Sequence, residues 1–299
     1  MNNANKGFIT AASAFVIWGV FPLYFHALHQ VPALQVIAHR IVWSCVLVLG
    51  WMYFRGELGS VRTALTNRGV VLRLAATAAL ISTNWIAYVY GVTHDRVVEA
   101  SLGYFIGPLV NVLLGVVLLS EKLTRVQWTG VALATLGVGY LTFMTGSLPW
   151  IALTLAFSFS SYGLLRKVVK VEALPGLATE TLLLLPLAVG YLLWCESAGR
   201  GALGHAGPAT DALLIASGPL TAIALFLFAH GTRLLPYSTI GLLQYITPSL
   251  QFACGVFVLH EPFDRARAIG FAIIWIALVI YAGEGVRLSR RQQARALTA

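Results

Sequence analysis

The sequence predicts an all-α integral membrane protein of ten transmembrane helices, arranged as two inverted five-helix repeats around a central cavity. Three observations carry that expectation: the composition, the spacing of the apolar runs and an internal repeat. Of the 299 residues, 58% are hydrophobic and only 10% are charged, against about 25% charged in a soluble domain. The mean hydropathy is +0.80. A chain of this length folded in water would still expose much of its surface. Its solvent is therefore lipid.

A helix needs about 20 mostly apolar residues to cross the hydrocarbon core. Such runs fall at residues 7–27, 34–54, 70–92, 97–119 and 126–144, and again at 148–165, 175–195, 211–232, 237–259 and 266–283. The first lacks a small-residue cleavage site and reads as a retained helix, not a removed signal. One connection, 196–210, is long and polar. Lys and Arg concentrate in cytoplasmic loops, and they orient the spans. With the N-terminus inside, fifteen fall on the cytoplasmic side and only Arg96, Arg200, Arg265 and Arg267 fall outside. Arg40 lies within a span. Nine or eleven spans would spoil this asymmetry, so both termini are expected in the cytoplasm. Trp51, Trp128, Trp150 and Trp194 sit where an interfacial aromatic belt would place them. The net charge of +9 comes from these loop clusters, so no nucleic-acid partner is expected; the partners are the lipid bilayer and a small-molecule solute. Cys45, Cys195 and Cys254 lie in or beside apolar runs without metal-ligand spacing, and read as small hydrophobes.

An offset of 140 residues superimposes Leu102, Ile106, Pro108, Gly115, Val116, Leu119, Glu121, Arg125, Gly130 and Ala132 on Leu242, Ile246, Pro248, Gly255, Val256, Leu259, Glu261, Arg265, Gly270 and Ala272. Spans 4 and 5 thus correspond to spans 9 and 10. A weaker match at 144 pairs Thr10, Phe15, Trp18 and Gly19 with Thr154, Phe159, Tyr162 and Gly163. The repeats are assigned to residues 1–145 and 146–299, the second ending in a short basic tail. Five spans per repeat is an odd number, so the copies insert in opposite senses. Inverted repeats place solute sites near the midplane and work by alternating access.

Pro108 and Pro248 fall near mid-bilayer, where a proline frees carbonyls that need protein or water as a partner; they read either as packing kinks or as kinks that gate a cavity. Trp18, Asn84, Tyr88, Tyr104, Asn111, Tyr162, Gln244 and Tyr245 lie near this level and form the candidate cavity lining, although each alone would also serve as helix–helix glue. Arg40 is the costliest residue of the chain. Glu99 is its expected partner, in a structural ion pair or, failing that, Arg40 gates the path or contacts a substrate carboxylate. Glu121 and Glu261 stand where a carboxylate favours a following helix N-terminus. No Asp or Glu falls at mid-membrane, with Glu180 about one turn into its span, which argues for facilitated movement or an unfamiliar coupling; His26, His39 and His230 are the remaining titratable candidates. Gly130, Ala134 and Gly137 would let another helix approach closely.

No nucleophile–base pair, metal-ligand set or phosphate-binding loop is present, so neither an enzyme nor an ATP-driven pump is expected, and no cofactor. A channel would betray itself by unsaturable flux.

The runs AHRIVWS (38–44), EASLGYFIGPLVNVLLG (99–115), GSLPWIALTLAFSFSSYGLLRK (146–167), TETLLLLPLA (179–188) and LLQYITPSLQF (242–252) resemble the RarD branch of the EamA family in the drug/metabolite transporter superfamily. The resemblance spans nearly the whole chain. It implies a ten-helix inverted-repeat fold in a bacterial inner membrane and an exporter of amino acids or similar small metabolites, like the YddG-type exporters with their central cavity. RarD relatives carry the name chloramphenicol-sensitive protein, which makes drug efflux the rival reading. The small multidrug pumps of the superfamily depend on a glutamate in their first helix. Span 1 has no acidic residue here, so that mechanism does not transfer. The protein is expected to function as a monomer.

Overall fold

A computed structural model describes residues 3–119, 123–169, 171–235 and 243–298. Its helices are α1 (Asn3–His26), α2 (Ala33–Phe54), the short α3 (Leu58–Thr66), α4 (Arg68–Thr93), α5 (Val97–Leu119), α6 (Arg125–Thr145), α7 (Trp150–Val168), α8 (Ala173–Ser197), α9 (Pro208–Leu234), α10 (Ile246–Ala253) and α11 (Arg265–Thr298), and α10 continues into a π-helical turn over Cys254–Val258. Among the described residues there is no strand. Glu121, Lys122, Lys170 and Leu242, with the start of the ninth expected span (237–242), lie outside the described residues.

Among the described residues, eight helices are long and apolar enough to cross a membrane: α1, α2, α4, α5, α6, α8, α9 and α11. The protein is a multi-pass membrane protein. The two remaining expected spans are α7, where Thr154, Ser158, Ser160 and Ser161 dilute the apolar character, and α10, whose described apolar helix covers only Ile246–Val258. Helix α3 falls in what reads as loop in the sequence. It buries Val61 and Ala64 and leaves its other residues exposed, the pattern of a helix lying along a surface.

Local chemistry sets several boundaries. Asn67 Oδ1 accepts from Gly69 N and Val70 N at 3.0 and 3.2 Å and starts α4. Thr124 and Gln127 form a reciprocal capping box at the start of α6. Gly146, at φ +66°, ends α6 in the left-handed conformation that glycine adopts without steric cost.

Helix α1 packs on α9 and α10, α7 on α4 and α5, α2 on α8 and α9, α6 on α11, and α5 on α10. Small residues make the approaches close. A Cβ at Gly103 would lie 2.7 Å from the Ala152 carbonyl, and one at Gly231 2.7 Å from the Ala11 Cβ. Gly130 and Gly137 face Ala277, Ile273 and Ile274, so the helix that approaches the small residues of α6 is α11 of the same chain. The outer faces remain apolar and bare, as at Phe54 (87% exposed) and Phe143 (81%), far beyond what a water-soluble surface carries as a continuous patch. Trp51, Trp128, Trp150 and Trp194 are all exposed near helix ends. The three cysteines are free and buried.

Two ends of the bundle differ in their packing. At one, called here the Glu261 end, lie the α1–α2, α4–α5, α6–α7 and α8–α9 connections; at the other, the Arg166 end, lie α3 and the α7–α8 connection. An aromatic-rich core that includes Phe21, Phe25, Trp85 and Tyr88 fills the Glu261 half.

Candidate functional site

A buried polar group lies between α1, α4, α5, α7 and α10. Asn84 and Tyr88, four residues apart, share one face of α4. Asn84 Nδ2 donates to the Leu155 carbonyl and to Ser158 Oγ, both at 3.1 Å, and Asn84 Oδ1 accepts from the Tyr104 hydroxyl at 3.2 Å. The Tyr88 and Tyr104 rings meet edge to face at 5.9 Å. Gln251 on α10 donates through Nε2 to the Trp18 carbonyl at 3.1 Å and to the Tyr88 hydroxyl at 3.3 Å. Gln251 Oε1 is buried, with no hydrogen-bond partner among the described residues.

Arg40 reaches the same neighbourhood from α2, seven residues or about 10 Å along the helix from Ala33. It is 4% exposed. Its guanidinium lies 4.2 Å over the Trp85 ring, and 5.7 and 5.8 Å from the Phe25 and Phe21 ring centres. Tyr24, Tyr88 and Tyr104 are within electrostatic reach. Among the described residues Arg40 makes neither a hydrogen bond nor an ion pair, and its Nε is buried without an acceptor. Insertion scales put a central arginine at about 2.5–3.5 kcal/mol, and a desolvated cation–π contact returns up to about 2 kcal/mol. The rings therefore offset much of the charge but accept none of its five N–H groups.

Glu99 is not the partner of Arg40. It pairs with Arg96 three residues before it and accepts from Ile151 N at 2.9 Å, closing the first turn of α7. A guanidinium one helical turn away competes better for Glu99 than one on another helix. Glu261 acts alike on α5: its two oxygens accept from Val97 N and Val98 N, the latter at 2.8 Å. Burial pushes the Glu261 carboxyl above its ordinary range, while these two backbone donors pull it back. Glu99 and Glu261 thus tie the Glu261 end together at helix N-termini, whose free N–H groups need acceptors.

A second polar cluster lies toward the Arg166 end. Glu180 is 1% exposed. It accepts from Thr77 Oγ1 at 2.7 Å and from the Tyr162 hydroxyl at 3.4 Å, and pairs with Arg166 at 3.8 Å. The sequence places Glu180 one turn into its span; α8 begins at Ala173, so the carboxylate sits two turns in and is enclosed.

The structure thus gathers Trp18, Asn84, Tyr88 and Tyr104 into one cluster and sets Tyr162 in the other. Tyr245 lines a lateral cavity of about 490 Å³ with Phe105, Ser249, Phe252 and Trp275. Asn111 is exposed and Gln244 half-buried. Pro108 lies inside an unbroken α5, whereas Pro248 lies in the first turn of α10, where a missing N–H costs nothing. Sequence reasoning missed Gln251, Trp85 and the π turn. Gln251 stands in the quoted 242–252 run, and its spacing of three from Pro248 was the available signal.

Residues 5–143 match the EamA-like transporter family. An uncharacterized transporter of Pseudomonas aeruginosa is 42% identical over 97% of this chain and 97% of its own. The protein RarD of Escherichia coli is 38% identical over 96% of this chain and 97% of its own. A solved crystal structure of a protein 18% identical superimposes with a TM-score of 0.60, covering 93% of this chain and 97% of that one; at that identity the likeness is one of fold. These relatives, with the membrane-spanning bundle, establish that the chain belongs to the RarD branch of the EamA transporter family.

Proposed function

We propose that the protein is an exporter of amino acids or closely similar small metabolites in a bacterial inner membrane, working as a monomer by alternating access between two inverted five-span repeats. The single observation that carries this reading is the polar and aromatic cluster of Trp18, Asn84, Tyr88, Tyr104 and Gln251 inside a bundle whose outer faces are apolar. Buried amides and phenols of that kind suit a solute with both polar and apolar parts.

Two regularities support the inverted repeat. Exchanging the halves turns the α1–α9 contact into α7–α4, and the α1–α10 contact into α7–α5; both members of each pair occur. Thr247 Oγ1 donates to the Phe15 carbonyl at 2.9 Å, and Ser160 Oγ donates to the Gly107 carbonyl at 3.1 Å. Gly107 is 140 residues before Thr247, and Ser160 is one residue beyond the counterpart of Phe15 at the 144 offset.

The related glycines differ between the halves. A Cβ on Gly19 would lie 2.7 Å from Leu250, whereas no described atom lies within 4 Å of one on Gly163. This favours a state closed at the Glu261 end. With both termini cytoplasmic, that end faces outward.

The test is efflux from liposomes holding purified protein and labelled amino acids, with chloramphenicol beside them because RarD relatives bear that name. Saturable movement of at least one amino acid is the expected result. Movement of chloramphenicol alone would transfer the reading to drug efflux. Flux rising linearly with concentration would replace the carrier by a channel.

A further inference from the structure

Two complementary polar groups are left unmatched around Tyr88. Arg40 brings a guanidinium whose buried Nε has no acceptor among the described residues, 4.2 Å from Trp85 and within electrostatic reach of Tyr88 and Tyr104. Gln251 brings an acceptor, Oε1, with no donor among the described residues. The Gln251 amide is fixed in orientation, because its Nε2 must face the Trp18 carbonyl and cannot be exchanged with the oxygen. It bonds the Tyr88 hydroxyl at 3.3 Å, and Arg40 lies within electrostatic reach of the same tyrosine.

An unpaired guanidinium and an unpaired carbonyl oxygen, both buried, ask for a ligand that carries an anion and a donor close together. Phosphate would bring two negative charges to a single cation; among the described residues the groups that act on Arg40 are rings and phenols, with no second base. A carboxylate matches the planar guanidinium fork with one charge. Phe21, Tyr88, Tyr104 and Trp18 then leave an aromatic wall for an apolar substituent. We infer that Arg40 and Gln251 form the recognition site for an α-amino acid zwitterion, Arg40 receiving the carboxylate and Gln251 Oε1 the ammonium group. The inference rests on the exporter reading and names what that exporter recognises.

The test is equilibrium binding to purified protein in nanodiscs, with L-phenylalanine, L-phenylalaninamide, which lacks the carboxylate, and N-acetyl-L-phenylalanine, which lacks the ammonium. Wild type is expected to bind the free amino acid at least tenfold tighter than either derivative. Arg40→Gln should bring the amino acid and the amide to equal affinity, while Arg40→Lys keeps a reduced preference. Gln251→Leu should erase discrimination against the N-acetyl compound and leave discrimination against the amide. The wild-type comparison needs no variant, so it decides even where a variant fails to fold. Equal wild-type binding of the amino acid and its amide overturns the inference, as does a full preference retained by Arg40→Gln. Thermal stabilisation of the wild type by none of the twenty amino acids also overturns it, and if the same preparation still transports another solute, the transporter reading stands without it.

Discussion

Glu180→Ala is expected to destabilise the protein by about 3–5 kcal/mol, the usual cost of removing one member of a buried ion pair. Glu180 is enclosed, and Arg166 keeps only 14% of its side chain exposed. Removing the carboxylate takes from Arg166 the counter-charge it has at 3.8 Å, and strips Thr77 Oγ1 and the Tyr162 hydroxyl of their acceptor on α8. Glu180→Gln is expected to lose much less, because an amide oxygen still accepts from Thr77. Pairing Glu180→Leu with Arg166→Leu should recover much of the loss, since a buried pair replaced by apolar groups is often neutral. The measurement is the thermal midpoint and monodisperse yield of each variant in one detergent. A wild-type midpoint for Glu180→Ala would mean that water reaches the cluster freely.

Gly218→Val should be comparably damaging, and for a steric reason. A Cβ at Gly218 would stand 2.4 Å from both the Ser44 nitrogen and the Trp43 carbonyl carbon. These are backbone atoms of α2, so no side-chain rotation relieves the overlap and α2 must move away from α9. Overpacking a close-packed crossing costs about 1–3 kcal/mol or more, and the Ser44 Oγ contact to the Gly218 carbonyl, 3.4 Å, goes with it. Gly190→Val is the control: nothing lies within 4 Å of its Cβ. Folded yield should fall steeply for the first and hold for the second. Equal yields would show that α2 and α9 part easily.

Much of this architecture is legible in the chain because lipid simplifies the code. Where every outward position is apolar, a run such as 34–54 declares a span directly, and Arg40 within it stands out. The serine-rich α7 and the short α10 are harder to read, since helices that wall a polar interior carry polar residues and lose the hydropathy that marks a span. Partner choice is harder still. Arg40 and Glu99 have complementary charges, but Arg96 lies one turn from Glu99 and wins by proximity. Glu180 looks peripheral when counted from the apolar run. Its enclosure depends on Thr77 and Tyr162, which are distant in sequence. Gln251 escaped notice because one amide in an apolar segment looks like ordinary helix packing; its unmatched oxygen exists only in three dimensions. The π turn after α10 has no sequence mark at all.

The proposed alternating access requires two copies of one unit inserted in opposite senses. Reporter fusions at the C-terminus and directly after residue 146, each active on only one side of the membrane, test this most directly. The expected result is a cytoplasmic C-terminus and an external residue 146. Both reporters on the same face would contradict the antiparallel repeat, and the alternating-access reading with it.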